Sequence, residues 1–272
     1  MRKWDSSFMN LSPMFEPFLY LRKDISNLQH WPEHNELNKL CSVPNQRIYT
    51  RSGKSICFVP QVVGKHRHEQ NYELKIYLTG QVQTRANNWH DFFNALVWKI
   101  FPRAKSALNQ LHYQAQLSDL SVEAVNRCAL RDAATLFDES GVIIISSDEL
   151  LTQLIKDFEW KELFWRQRTV VLSSMRFFVF GHGMYEKALN PYIGMTGKAI
   201  IFEVKKNFFL QDLLSQLNSA DLMLEQFLLC ALSSSADLTP IPLLGYPEWD
   251  ADNCHESYYE NKKYFRECRK SR

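Results

Sequence analysis

Residues Arg131–Ser146 read RDAATLFDESGVIIIS. Asp138-Glu139-Ser140-Gly141 has the composition of a tight turn, and Val142–Ile145 is a β-branched run, so the segment is predicted to be a hairpin. Asp138 and Glu139 are accounted for as turn residues. Arg131 and Asp132 precede the apolar run, where strand alternation puts them on opposite faces and turns one of them inward. An inward Asp132 could orient a histidine or hold a metal ion, and an inward Arg131 could bind a carboxylate or phosphate.

Helices are expected on either side. Asn88 is a good N-cap and Asp91 completes something close to a capping box, so a helix is predicted over Trp89–Ile100. Pro102 suits the first turn of a second helix, Arg103–Gln116. Downstream, Asp148 caps DELLTQLIKDF and WKELFW gives a short helix. Val170–Leu189 reads as a buried helix entered or kinked near Gly181, KAIIFEV as a strand, and Phe208–Leu232 as two helices divided near Asn218–Asp221. TPIPLLGYPEW is expected to be an extended, ordered loop, followed by a final helix near His255–Arg269. Upstream, RIYTRSGKSICFVP reads as a hairpin around Gly53, and NYELKIYL is ambiguous between strand and helix. Prolines chop the first 45 residues into short, irregular-to-helical pieces. The sum is an α+β fold, mainly helical, with hairpins or short strands packed in a single core. Its expected parts are an N-terminal segment over 1–45, a main domain over 46–250 and a basic C-terminal helix over 251–272.

The chain has 272 residues, 45% of them hydrophobic, and a net charge of +2. That balance gives no global attraction for nucleic acid or an anionic membrane. The local exception is NKKYFRECRKSR, where Lys262, Lys263, Arg266, Arg269, Lys270 and Arg272 stand against Glu267; such a tail reads first as a solvated end, with a nucleic-acid or protein contact as the alternative. The six cysteines are scattered without zinc-site spacing and read as reduced thiols. No apolar run is long enough for a membrane span and the N-terminus lacks a secretory pattern, so no membrane insertion and a cytoplasmic location are expected.

Three clusters could carry chemistry. His90 lies among Trp89, Phe92, Phe93 and Trp98, one turn from Asn94, and an imidazole buried there needs a partner. Lys105, Asn109 and His112 share one face of the next helix. In FGHGMYEK, helical winding puts His182 and Glu186 a turn apart, able to serve one metal ion, while Gly181 and Gly183 suggest close backbone approach. Walker, GxGxxG, GxSxG and HExxH signatures are absent.

The blocks NWHDFFNALVW, FPRAKSALNQLH, RDAATLFDESG, FGHGMYEK and PIPLLGYPEW resemble, in order, those of an uncharacterised bacterial family, domain of unknown function 3025. The resemblance implies no activity. Two departures stand out: Gly183-Met184-Tyr185 in place of a more aliphatic stretch, and Glu248 where a glycine is expected before Trp249.

Two function classes follow. One is a metal-assisted or general-base hydrolase built from His90, Asn94, Asn109, His112, Asp132, His182 and Glu186. There His90, His182 and Glu186 would hold a divalent ion, His112 or Asp132 would act as base or orienter, and Lys105 and Arg131 would meet a phosphoester. The other is a non-catalytic interaction module whose polar residues satisfy one another and whose basic tail meets a partner.

Overall fold

A computed structural model describes residues 3–42, 47–61, 68–117 and 124–267. In chain order it contains α1 (Arg22–Ser26), α2 (His34–Cys41), β1 (Cys57–Pro60), α3 (His68–Thr79), β2 (Gln81–Thr84), α4 (Trp89–Ile100), α5 (Pro102–Leu117), α6 (Ala124–Ser140), β3 (Gly141–Ser146), α7 (Glu149–Lys156), α8 (Arg168–Ser174), β4 (Met175–Val179), α9 (His182–Ala188), β5 (Thr196–Glu203), α10 (Leu213–Cys230) and β6 (Thr239–Pro242), with 3-10 turns and a π-helical turn at Glu162–Arg166 between. The protein is α+β.

The main sheet has the order β4-β3-β5-β6. β3 is antiparallel to β4 and parallel to β5, with Val142 between Val179 and Ala199. Every residue of β3 is buried, which is why its β-branched run carries no alternation: a central strand has no solvent face. The hairpin expected at Asp138–Gly141 does not form. The residues before Gly141 are helical, because Ala133, Ala134 and Phe137 recur at the helical period and are buried, and α6 passes into β3 with no connecting residue. Arg131 and Asp132 are therefore helix residues, and the alternation assigned to them does not apply.

Three other segments differ from expectation. Val170–Leu189 is not one helix; Met175–Val179 forms the strand β4 between α8 and α9. A short, wholly apolar run has the same pattern whether buried as strand or as helix. Phe208–Leu232 holds one long helix, α10, after a 3-10 turn. Asp221, the expected break, lies inside it and accepts hydrogen bonds from the amides of Arg103 (3.1 Å) and Ala104 (2.9 Å) in α5. After Trp249 the chain forms 3-10 helices at Ala251–Cys254 and Glu256–Glu260 in place of an α-helix. Lys262 pairs there with Glu267 at 2.7 Å, while Arg269, Lys270 and Arg272 lie outside the described residues.

Around Gly53 the chain does turn back, with a Tyr49–Ser55 bridge, but β1 then pairs in parallel with β2. The ambiguous NYELKIYL belongs to helix α3. TPIPLLGYPEW is ordered and contributes the edge strand β6. Glu248, where the family resemblance expects glycine, has φ of 72°, the left-handed backbone that glycine adopts freely.

One apolar core joins these parts. Phe8, Phe15 and Phe18 from the N-terminal segment pack on Phe93 of α4, and Phe15 and Phe18 also pack on Tyr185 of α9. This locks α4 against α9 and fixes where their first residues point. No helix among the described residues is long and apolar enough to cross a membrane.

Candidate metal centre

Three element ends converge. Asn88 caps α4 by accepting from the Asp91 amide at 3.0 Å, which puts His90 in the first exposed turn. The reciprocal half of the expected capping box is absent: the Asp91 carboxylate instead accepts from the amide and guanidinium of Arg85. α9 starts at His182, immediately after β4 and Gly181, and α6 ends one residue past Glu139.

The glycines beside His182 let these ends meet. A Cβ on Gly181 would stand 2.5 Å from the Glu139 carbonyl oxygen, and one on Gly183 would stand 2.5 Å from Glu139 Oε2. The close approach expected at Gly181 and Gly183 is therefore present, and its partner is Glu139.

His182 Nε2 lies 3.0 Å from His90 Nε2. Glu139 Oε1 is 3.3 Å from the first and 3.6 Å from the second. Behind the rings stand two more carboxylates. Glu186 Oε2 is 3.2 Å from His90 Nδ1, and Asp138 Oδ2 is 3.7 Å from His182 Nδ1, an ion-pair distance beyond a direct hydrogen bond. The Glu186 carboxylate favours the Nδ1–H tautomer of His90 and leaves its Nε2 as a lone pair, whereas His182 Nδ1 is buried without a hydrogen-bond partner. Two ring nitrogens and a carboxylate oxygen face one another, an arrangement that an imidazole N–H, a shared proton or a metal ion can satisfy. The point equidistant from the three atoms is about 1.9 Å from each, close to zinc–imidazole and zinc–carboxylate bond lengths of about 2.0–2.2 Å.

Burial is graded across the cluster. The His182 side chain is 6% exposed, His90 27% and Glu139 46%, so the donors are anchored in protein on one side and open to solvent on the other. Lys105, which is buried, donates to Asp138 at 2.6 Å and lies 5.5 Å from the Trp98 ring centre. Burial alone would raise the Asp138 carboxyl; Lys105 and His182 more than offset it and hold it below the ordinary carboxylate range. Glu139 is likewise held low against its partial burial, by His182 first and then His90.

The expected site residues separate into those this centre gathers and those it does not. His90, His182 and Glu186 come together, but Glu186 stands behind His90, and Glu139 occupies the donor position expected of it. Asn94 does not bond His90; its amide donates to the Tyr72 hydroxyl at 3.2 Å. Asn109 donates to Glu73, at 2.9 Å to the carbonyl and 2.6 Å to the carboxylate. His112 is buried on α5, near enough to Asp138 to help lower its carboxyl. Lys105 serves Asp138 and does not face solvent. Arg131 and Asp132 sit about two turns before Glu139, roughly 10 Å along α6. Asp138 and Glu139 are the residues that the turn reading passed over. The buried Ala133–Ala134–Phe137 period, extended one turn, would have put both on a helix end.

Residues 56–269 match the family described as Protein of unknown function (DUF3025). The chain belongs to the DUF3025 family. The match spans every residue of the centre in this DUF3025 chain. No curated protein and no solved structure matches it.

Proposed function

We propose that the protein is a metal-dependent hydrolase in which His90, His182 and Glu139 hold one divalent ion. The observation that carries this reading is the triangle of donor atoms with edges of 3.0, 3.3 and 3.6 Å, backed by Glu186 and Asp138. Two imidazoles and one carboxylate make a three-ligand set that leaves coordination positions for water and substrate. The half-exposed Glu139 supplies the open side. A divalent ion there would lower the pKa of bound water towards neutrality and polarise an ester or phosphoester oxygen. Glu186, half-exposed and bonded to His90, fixes the ring and lies at the same open edge. Lys105 and Arg131, first expected to meet phosphate, have no part in this mechanism.

The test is metal analysis of protein dialysed against zinc, manganese or iron(II), for wild type and the His90→Ala/His182→Ala double variant, followed by assay on aryl phosphates and aryl esters. One equivalent of ion in wild type and its loss in the variant is expected, with ester or phosphoester cleavage that follows occupancy. Equal, negligible metal in both proteins would sink the reading, and bound metal without cleavage of either class would remove the hydrolytic part.

A further inference from the structure

At the far end of α4 from His90, about 13 Å along the helix axis, lies a groove of about 1260 Å³. Its floor is the end of α4, the start of α5 and one face of α10; its walls are the chain around α1 and the turn at Gly53. Five cationic side chains line it against three carboxylates. Among the described residues, only Arg51 of those cations has an ion pair within the groove, 2.7 Å to Glu225.

Two floor residues point to a ligand. Lys99 is half-buried, and burial lowers its pKa. Its one hydrogen bond is a long 3.4 Å contact with the Cys41 carbonyl, and no carboxylate among the described residues lies within ion-pair distance. Asp24, in the same groove, acts on this ammonium only from beyond ion-pair distance, so a partly desolvated charge is left that a closer anion would stabilise. One helical turn into α5, Ser106 is 5% exposed and its hydroxyl, fully buried, has no hydrogen-bond partner. Arg103, exposed at the start of α5, adds a guanidinium whose charge also acts on the buried Asp221 carboxylate. The half-exposed rings of Tyr20 and Tyr49 and the buried Leu217 line the same groove.

We propose that this groove binds an organic anion, a phosphate or carboxylate carried on an aromatic or apolar body. Lys99 and Arg103 meet the charged head, and Tyr20 and Tyr49 cover the body. The site is separate from the donor triangle and stands whether or not the centre holds metal.

The experiment is calorimetric titration of the full chain with adenosine monophosphate, dodecyl phosphate and inorganic phosphate. Saturable one-to-one binding of one of the two organic phosphates is expected, weakened at least tenfold in Lys99→Met/Arg103→Met and weakened by added salt. Inorganic phosphate should bind more weakly than the organic probe. Preference for the nucleotide marks a stacking ligand, and preference for dodecyl phosphate marks an acyl-type ligand. Because Arg103 is exposed, Arg103→Met alone keeps the test valid if the double variant misfolds. Tyr49→Ala should weaken the organic probe while leaving inorganic phosphate unchanged. Absence of saturable binding to both organic probes, or equal affinity in wild type and the cation variants, would overturn the assignment, and metal content in each variant stays that of wild type.

Discussion

Glu139 and Glu186 are chemically alike and both half-exposed, yet the same substitution should act on them differently. Glu139→Gln removes a donor oxygen from the triangle, so ion affinity should fall by well over a hundredfold. Glu186→Gln removes a carboxylate that only orients His90, for which a loss of about 10–100-fold is expected; competition against a chromophoric chelator would separate the two. Asp138 makes a different prediction because its partner is buried. Asp138→Ala leaves Lys105 charged and unpaired in the interior, at a cost of about 3–5 kcal/mol. Replacing both, Asp138→Leu with Lys105→Met, should recover most of that in urea titration. At this scale the sequence was informative about chemistry and poor about company. His90, His182 and Glu186 were legible from type and spacing, whereas Asp138 and Glu139 were hidden because Asp-Glu-Ser-Gly has the composition of a turn even where it ends a helix.

Helix ends, not helix faces, build the centre, and this makes the α6–α9 contact sensitive to single methyl groups. Gly183→Ala would drive its Cβ into the Glu139 carboxylate, a movable group, and to 3.0 Å from the Glu139 carbonyl oxygen, so ion affinity should drop while stability falls by about 1 kcal/mol. Gly181→Ala meets backbone at Glu139 and Ser140, which cannot yield by rotation, and should cost about 1–3 kcal/mol as overpacking does. Chemical denaturation paired with metal titration distinguishes the two. Element boundaries followed their local signals: Asn88, Pro102 and Asp148 marked helix starts correctly because caps act within a few residues. β4 and the end of α6 were misread for the opposite reason. Their identity is decided by the partners of β3, and an apolar run such as Met175–Val179 has no period that distinguishes a buried strand from a buried helix.

For the molecule as a whole, the aromatic packing of Phe8, Phe15 and Phe18 on α4 and α9 means that the N-terminal segment and the centre share one core. Global stability should also carry a signature of Asp221. Burial pushes this carboxyl up to about 7, although two α5 amides favour its charged form. The folded chain therefore holds a proton that the unfolded chain has released, so this residue's contribution to stability is lost as pH rises from about 4 to about 7. The stability of Asp221→Asn should gain on wild type over that window, by a few kcal/mol on the scale of about 1.4 kcal/mol per unit, and run parallel to it above. An unchanged difference across the window would show that Asp221 is ionised throughout. The absence of any residue between α6 and β3 has a last consequence, in time. Glu139 is tied to the central strand of the sheet, with no connecting segment of its own, so in the proposed metal-binding role its carboxylate would meet or leave the ion by side-chain rotation. Such rotations take picoseconds to nanoseconds, against the microseconds of a moving loop; on this side of the site, exchange would be set by the strength of the bond that Glu139 makes.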